Sequence, residues 1–391
     1  MNNLSQSFIP YGRQTISDLD IQAVVDVLRS PFLTQGPLVS VFEKAIAQQV
    51  SAAFGVSVNS ATSALHIACI ALDLGPGDWL WTSPITFVAS ANCGRYCGAN
   101  IDFVDIDPAT ALISIEALEA KLQQAELTGK LPKVLVPVHL CGTSCDMEAI
   151  HGLSQRYGFA VLEDASHAIG GAYQNKPVGS CLYSRVSVFS FHPVKIITTG
   201  EGGLATTNDS SLMQRMIDLR SHGITKDQSR FERSSLDSWN YEQQELGFNY
   251  RLTDLQAALG LSQLERLASI VNERNRQLET YRVGLASLPV RLLDIPASVR
   301  SAVHLAVIRL DNKDPDHHRA VFNGLRDAGI GVQLHYNPVH LQPYYRRLGF
   351  SEGDFPQAEA YAHNSISLPL YPGLKEEEQG KVVQILSNLL D

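Results

Sequence analysis

The sequence lacks the features of a membrane protein. In its 391 residues no apolar run approaches the ~18 residues that a membrane-spanning helix needs. The N-terminal stretch, residues 1–8, contains no basic region followed by an apolar one, which is the pattern of a secretory signal. We therefore expect no membrane partner and a cytoplasmic location.

Positive charge is also in deficit. The chain carries 31 Lys and Arg against 40 Asp and Glu, a formal net charge of −9 at pH 7. Nucleic acids and anionic membranes attract proteins through an excess of positive charge, so we expect neither as a partner. An anionic substrate would need local cations, for which Arg13, Arg230 and Arg251 are weak candidates.

The cysteines show no Cys-x-x-Cys spacing. All six lie in the first half of the chain: Cys69, Cys93, Cys97, Cys141, Cys145 and Cys181. Without closely spaced ligand pairs a zinc site is not expected, and we predict no metal. The pairs separated by four residues are more typical of small apolar side chains packed on helices or loops.

What the chain does contain is an alternation of strand-like and helical patterns, without repeats or low-complexity linkers. Apolar strands are predicted near Val56, Leu80, Phe103, Val136, Val161 and Val188, with helical patterns between most of them. The segment 17–20 predicts a capped start for a helix over 21–28. This order is typical of an α/β fold with a mainly parallel sheet covered by helices, and the 45% hydrophobic content can fill a large core.

The C-terminal third predicts a second, smaller domain. A long helical pattern over 255–283 leads into it. Strands are predicted near Val290, over 305–310 and over 332–335, with helices over 315–328 and 376–390. We place the boundary between residues 265 and 266, giving a large domain over 1–265 and a small α/β domain over 266–391.

The most informative segment is 187–203, which contains Lys195. This lysine lies between the strand-like run 186–191 and a turn with three glycines, 31 residues after Asp164. Asp164 follows an apolar run, so its carboxylate is expected at the C-terminal end of a strand, where open α/β sheets bind ligands. A lone lysine is usually a solvated surface residue, and a lone aspartate is usually a cap. Together they suggest pyridoxal phosphate, which needs a Schiff-base lysine and a carboxylate at its pyridinium nitrogen.

Phosphate donors are available in two places. Ser190 precedes Lys195 by five residues, and the hydroxyl-rich segment 59–63 joins a strand-like run to a helical pattern. The free N–H groups and the positive end of a helix start form an anion site, to which the Thr62 hydroxyl can add a donor. Ordinary capping of that helix is the alternative, and both can hold together. Phe87 is the candidate for stacking on a cofactor ring, although a lone aromatic is more often a core residue.

These residues resemble the DegT/StrS-type sugar aminotransferases, and the resemblance extends over essentially the whole chain. It implies a pyridoxal-phosphate enzyme of fold type I, whose large domain holds a mainly parallel seven-stranded sheet. By this resemblance Lys195 is the Schiff-base lysine, Ser190 binds the phosphate and Asp164 pairs with the ring nitrogen. The family's phosphate turn falls on Ser60, Ala61 and Thr62, with Ala61 where the family has glycine.

The same resemblance assigns further residues. It implies that His167 packs near the cofactor ring, that Phe87 stacks on it and that Asn249 reaches the phosphate of the neighbouring subunit. A homodimer with composite sites would follow. Candidate substrate contacts are Arg13, Gln35, Arg251, His335 and Tyr336. For His335 and Tyr336, a structural role in turns at strand ends is about as good an explanation as substrate binding.

Several stretches are most similar to the pseudaminic-acid branch of the family, among them 33–36, 82–89, 166–170, 173–179 and 221–223. That branch implies amino transfer from L-glutamate to C4 of a UDP-4-keto-6-deoxy-N-acetylhexosamine. Transfer to another nucleotide-linked 3- or 4-keto-deoxysugar is the alternative. A sugar dehydratase of the same fold carries histidine in place of the lysine, so Lys195 argues against it. The alternative outside the enzymes is a regulatory protein that binds the cofactor without catalysing a reaction.

Overall fold

The computed structural model describes residues 8–233 and 237–390. Residues 1–7, which carry most of the N-terminal pattern used above, lie outside the described residues. The α-helices are α1 (Asp18–Leu28), α2 (Pro37–Val50), α3 (Ala61–Ala71), α4 (Ala89–Tyr96), α5 (Ile115–Thr128), α6 (Met147–Tyr157), α7 (Ser210–Arg220), α8 (Asp254–Glu265), α9 (Leu267–Gly284), α10 (Pro315–Asp327), α11 (Pro343–Arg346), α12 (Pro356–Ala362) and α13 (Glu376–Leu390).

The strands are β1 (Phe54–Val58), β2 (Trp79–Thr82), β3 (Asn100–Phe103), β4 (Val134–Val136), β5 (Ala160–Asp164), β6 (Ala172–Tyr173), β7 (Lys176–Pro177), β8 (Val186–Ser190), β9 (Gly203–Thr207), β10 (Ile224–Thr225), β11 (Glu242–Gln243), β12 (Val290–Leu292), β13 (Val299–Arg300), β14 (Ala306–Leu310) and β15 (Ser365–Leu368). Short 3₁₀ turns lie at Leu140–Gly142, Gln228–Arg230 and Val339–Leu341.

Seven strands form the central sheet in the order β1-β9-β8-β5-β4-β2-β3. The pairs β8-β5, β5-β4, β4-β2 and β2-β3 are parallel, whereas β9 runs antiparallel to both of its neighbours. The mainly parallel seven-stranded α/β sheet is therefore confirmed. Six of its strands follow the predicted apolar runs. The seventh, β9, begins inside what the sequence suggested was only a glycine turn.

Helix α1 shows how local sequence sets these boundaries. Ser17 caps the helix by accepting a hydrogen bond from the Asp20 N–H, and the Asp20 carboxylate accepts from the Ser17 N–H in return. This reciprocal capping box satisfies two of the N–H groups that a helix start leaves without partners. The predicted capped start is confirmed, with α1 beginning at Asp18.

Gly203 is where β9 passes closest to the start of α3. A Cβ atom built on Gly203 would lie 2.4 Å from the Ala61 nitrogen and 2.6 Å from the Ser60 oxygen. The same glycine pairs with Val58 of β1 and with Ser190 of β8. Only a residue without a side chain allows these three segments to meet, so Gly203 brings the start of α3 next to the end of β8.

The C-terminal part has its own core around the three-stranded sheet β12-β14-β15. The predicted strands near Val290 and over 305–310 correspond to β12 and β14, but the one over 332–335 was wrong. In that segment Gln333 alone makes a bridge, to Ser367, and β15 occupies the third position in the sheet instead. The domain boundary at 265/266 stays a prediction.

The long helix predicted over 255–283 is in fact two helices, α8 and α9. The break is at Arg266, whose ψ of 2° departs from helical geometry. Its guanidinium donates to the Asp20 carboxylate (2.5 Å) and to the Thr15 carbonyl (3.3 Å). Apolar spacing cannot reveal this break, because the residue at the break, Arg266, forms hydrogen bonds with residues about 250 positions earlier in the chain.

Among the helices of the described residues, none combines the length and the apolar character required to cross a membrane.

We predict that Gly203→Ala destabilises the fold by about 1–3 kcal/mol, because the added methyl group overlaps the backbone of Ser60 and Ala61. Urea denaturation monitored by circular dichroism measures this loss. The matched control is Gly152→Ala in α6, where a Cβ meets nothing within 4 Å. That change should be neutral or stabilise the helix by about 0.5–1 kcal/mol. Equal stability of both variants would contradict the close approach.

Candidate active site

A cavity of about 420 Å³ opens at the carboxyl ends of the parallel strands. It is lined by ten of the residues singled out from the sequence: Ser60, Ala61, Thr62, Phe87, Asp164, His167, Ser190, Lys195, His335 and Tyr336. The structure thus gathers in one place side chains that are spread over 277 positions of the chain.

Five candidates are not among the lining residues. Gln35 and Asn249 are exposed, and Arg230 and Arg251 are half-buried. Arg13 is also exposed, and its guanidinium lies 4.9 Å from the centre of the Tyr371 ring. Within one chain these five side chains therefore do not form part of the cavity.

The anion-binding end of the cavity is the first turn of α3. Ser60 is the N-cap, and its hydroxyl oxygen accepts a hydrogen bond from the Ser63 N–H (3.1 Å). The N–H groups of Ala61 and Thr62 belong to the first turn, which has no intrahelical acceptors for them. With the Thr62 and Ser190 hydroxyls beside them, they form a compact set of donors at the positive end of a helix. Capping and anion binding are compatible here, as the sequence suggested.

Asp164 ends β5 and is buried, with 5% of its surface exposed. Its carboxylate accepts hydrogen bonds from the Ser90 hydroxyl (2.6 Å) and from the Ser166 N–H (3.1 Å). The Thr86 hydroxyl lies 2.6 Å from that of Ser90, so a series of hydrogen bonds runs from Thr86 through Ser90 to Asp164. These contacts fix the orientation of the carboxylate inside the cavity.

The neighbouring acid, Glu163, does not reach the cavity. Adjacent residues of a strand point to opposite faces of the sheet. On the other face Glu163 pairs with buried His139, with 2.7 Å between Oε2 and Nε2. Burial opposes a charge on this imidazole, but its hydrogen bonds with Cys145 and Glu163 raise the pKa of His139 to about 10. The acidic pair thus supplies one carboxylate to the cavity and one to the core.

Lys195 approaches the cavity from the loop between β8 and β9. Its backbone N–H donates to the His192 carbonyl (2.9 Å), which closes a tight turn, and its side chain is half-buried. Burial lowers the pKa of Lys195 to about 8, although the Asp164 carboxylate acts in the opposite direction. A substantial neutral fraction near neutral pH is the condition for a lysine to act as nucleophile and base.

Three imidazoles face this lysine. Burial, followed by the positive charge of Lys195, lowers the pKa of His335 to about 4 and holds that of His167 well below its usual range. Burial and the neighbouring His167 do the same for His304, whose ring centre lies 4.3 Å from that of His167. At neutral pH these three imidazoles form a wall of the cavity that is polar but uncharged.

Tyr336 links the wall to the mouth of the cavity. Its hydroxyl lies 3.4 Å from His167 Nε2, and its ring centre lies 6.2 Å from that of Phe87. Phe87 is 56% exposed, so one face of its ring is open to a flat ligand.

Other lining residues were missed from the sequence: Tyr11, Thr86, Ser166, Glu201 and His304. Ser90 was missed as well, although it holds Asp164. The four-residue spacing of Thr86 and Ser90 at a helix start was the one available signal. His304 offered none, because it lies 140 positions from Asp164 in the sequence and reaches the cavity only through the fold.

Pyridoxal phosphate fits this set of residues. The phosphate would be held by the first turn of α3 with Ser190, the ring nitrogen by Asp164 and the aldehyde carbon by Lys195. The Nδ1 atom of His167 is buried and has no hydrogen-bond partner among the described residues, so a polar atom of the bound molecule can satisfy it.

Comparison with known proteins gives one family model, the DegT/DnrJ/EryC1/StrS aminotransferase family, which matches residues 14–387. Among curated relatives, the spore coat polysaccharide biosynthesis protein SpsC of Bacillus subtilis is 38% identical over 388 residues. That alignment covers 98% of this chain and 97% of SpsC.

Solved structures agree. PseC of Helicobacter pylori, described as an aminotransferase involved in the biosynthesis of pseudoaminic acid, has a TM-score of 0.89 at 32% identity, covering 98% of this chain and 99% of its own. A putative sugar aminotransferase of Streptococcus pneumoniae, Spr1654, has a TM-score of 0.89 in its PMP form at 29% identity, covering 97% and 98%. Its PLP form also matches, with a TM-score of 0.88.

We predict that covalent capture of pyridoxal phosphate by the apoprotein depends on pH with a midpoint near 8, because the neutral amine of Lys195 is the reactive form. Stopped-flow absorbance measures the capture rate. In Asp164→Asn the midpoint should fall, since the carboxylate that favours the ammonium form is gone. Asp316→Asn, at an exposed position of α10, is the control and should leave the midpoint unchanged. A midpoint near 10.5 would show that Lys195 behaves as a solvated lysine.

Proposed function

Because the chain belongs to the DegT/DnrJ/EryC1/StrS aminotransferase family and is a pyridoxal-phosphate-dependent sugar aminotransferase, we propose a specific reaction for it. It moves an amino group from L-glutamate to the C4 keto carbon of a UDP-4-keto-6-deoxy-N-acetylhexosamine. The observation that supports this most is the joint placement of Lys195, Asp164 and the first turn of α3 around one cavity.

Lys195 is the residue that moves the proton. Bound pyridoxal phosphate supplies an electron sink for the negative charge that remains when the Cα proton of the amino donor is removed. The amine of Lys195 takes this proton and delivers it, which requires the amine to be neutral part of the time. Its pKa of about 8 meets that requirement near neutral pH.

Asp164 acts through charge. An anion beside a pyridine nitrogen favours the protonated, electron-withdrawing ring. The hydrogen bonds from Ser90 and the Ser166 N–H keep the carboxylate in one orientation, so this effect is present before substrate arrives. The neutral imidazoles of His167 and His335 add polar contacts without bringing a second cation next to the ring.

For the acceptor, the likeness to PseC supports a sugar of the pseudaminic-acid type. PseC aligns over 98% of this chain. His335 and Tyr336 line the cavity and are available there to a sugar nucleotide. Tyr336 is placed by His167, and His335 by a hydrogen bond of 2.8 Å with the Ser367 hydroxyl.

The likeness to SpsC favours a second acceptor. SpsC is 38% identical to this chain and is named for spore coat polysaccharide biosynthesis. Another nucleotide-linked keto-deoxysugar is therefore the alternative substrate, with the same donor half-reaction at Lys195. The two proposals differ only in the sugar that accepts the amino group.

We also propose a homodimer with composite sites. Asn249 is exposed and lies outside the cavity of its own chain. Its backbone is held by a bridge to Ser221, and Asn249 is exposed between the half-buried Phe248 and Tyr250. A second copy that places Asn249 near the other first turn of α3 would add a side-chain amide to the phosphate donors.

We predict that L-glutamate decreases the visible absorbance band of the holoenzyme and that the UDP-4-keto-sugar restores it. Lys195→Ala should lower the production of 2-oxoglutarate by at least about 10²–10⁴-fold, because the nucleophile and base are both lost. Lys313→Ala, an exposed lysine, is the control and should keep full turnover. Restoration by a different keto-sugar alone would favour the alternative acceptor, and full turnover of Lys195→Ala would refute the mechanism.

We predict that the variants Lys195→Ala and Asn249→Ala, each expected to have reduced activity alone, regain activity when they are co-expressed. In a mixed dimer one site combines Lys195 from one chain with Asn249 from the other, so that site is intact. Transaminase assays on tandem-tagged heterodimers measure the recovery. A heterodimer no more active than the two parent variants would place Asn249 outside the neighbouring site.

A further inference from the structure

A second cavity, of about 570 Å³, opens between the loop after β3 and the three-stranded sheet β12-β14-β15. Pro108 and Ala109 line it from the loop, and Arg291 and Arg309 line it from β12 and β14. Among the residues that the structure describes, none lines both this cavity and the one that contains Lys195. The two cavities are therefore separate, and what the second one binds does not depend on the proposed reaction.

The pairing of β12 with β14 places two arginines directly opposite each other. Arg291 pairs with Arg309 in this antiparallel ladder, so both side chains leave the same face of the sheet. The neighbouring pair, Val290 and Leu310, points to the other face and packs in the C-terminal core. Like charges in directly opposite positions destabilise a sheet, and an anion between them would remove that cost.

Only one of these two positive charges has a partner. The Arg291 Nε lies 3.1 Å from the Asp311 carboxylate at an exposed position. Arg309 leaves β14 on the same face as Val307, which is buried in the core of the central sheet. Its guanidinium donates to the Pro108 carbonyl, and within residues 8–233 and 237–390 it forms no ion pair. The cavity is thus bordered by a cation that no carboxylate of the described chain neutralises.

The cavity also offers hydrogen-bond acceptors. Asn364 lines it and is only 2% exposed, yet its Oδ1 atom has no hydrogen-bond partner among the described residues. A buried acceptor without a partner is costly, so a bound polar group would stabilise this site. Asp294 lines the cavity as well, and its backbone N–H donates to the Ala109 carbonyl at 3.0 Å. This hydrogen bond holds the strand end that carries the carboxylate against the loop.

We propose that this cavity binds a small sugar phosphate. The guanidinium groups of Arg309 and Arg291 hold the phosphate, because a planar guanidinium matches the spacing of phosphate oxygens. The Asp294 carboxylate and the Asn364 amide oxygen accept hydrogen bonds from the sugar hydroxyls. The carboxylates of Asp294 and Asp311 also disfavour further negative charge, so a ligand with one phosphate fits better than a polyphosphate. The volume lies in the range of about 300–1,000 Å³ that is typical of small-molecule sites.

Isothermal titration calorimetry of the holoenzyme with ribose 5-phosphate tests the proposal. We expect one molecule bound per chain and an affinity at least about tenfold lower in Arg309→Gln and in Arg291→Gln, because each variant loses charged hydrogen bonds to the phosphate. Arg291 is 79% exposed, so its replacement tests the site independently of any effect of Arg309 on folding. The matched control is Arg319→Gln, at an exposed position of α10, which should bind like the unchanged protein. Equal affinity in all three variants would overturn the assignment.

Asp294→Ala separates recognition of the sugar from recognition of the phosphate. We expect the ratio of the affinity for ribose 5-phosphate to that for inorganic phosphate to fall at least about threefold, because only the sugar loses an acceptor. The same titrations measure this ratio. If the unchanged holoenzyme binds inorganic phosphate as tightly as ribose 5-phosphate, the cavity does not recognise the sugar and the proposal fails.

Hydrogen–deuterium exchange locates the bound molecule. The Asp294 N–H is bonded to the Ala109 carbonyl at the edge of the second cavity, so its peptide should exchange more slowly when ribose 5-phosphate is bound. Peptides of α3, which begins at the anion-binding end of the other cavity, are the control and should be unchanged. Slower exchange in α3 in place of the Asp294 peptide would put the sugar phosphate in the other cavity and refute the second site.

Discussion

The candidate site depends on the close approach of β9 to the start of α3. Strand β9 runs antiparallel between β1 and β8. Strand β9 follows the loop with Lys195 and returns along the sheet. A Cβ atom built on Gly203 would lie 2.4 Å from the Ala61 nitrogen and 2.6 Å from the Ser60 oxygen. Because both neighbours of β9 run in the same direction, their carboxyl ends meet there, and Ser190 comes to lie beside the first turn of α3. A side chain at position 203 would separate the donors that form the anion-binding end.

The electrostatics of the cavity depend on one buried carboxylate among uncharged groups. Asp164 is held by a hydroxyl and a backbone N–H, while the acid next to it pairs with His139 on the other face of the sheet. Burial keeps His167 and His335 neutral at physiological pH and lowers the pKa of Lys195. Lys195 therefore lies near a single buried anion, Asp164, and its amine can exchange a proton near neutrality.

Much of the fold and the core of the site could be predicted from the sequence, because they depend on short-range patterns. Apolar runs predicted six of the seven central strands, and the apolar run before Asp164 placed that carboxylate at a strand end. The break at Arg266 and the loss of a strand over 332–335 could not be predicted. At the first, Arg266 forms hydrogen bonds with Thr15 and Asp20. In the second, only Gln333 pairs with β15, through a single bridge to Ser367.

By itself the sequence determined the fold class, the cofactor chemistry of Lys195 and Asp164 and the resemblance to sugar aminotransferases, because residue type, spacing and local hydropathy carry that information. Tertiary structure alone decided that Ser90 orients Asp164 and that His304 joins the imidazole wall. It also decided that Glu163 turns away from the cavity. These relations join residues that are far apart in the chain or on opposite faces of a strand, and they exist only once the sheet and its helices have packed.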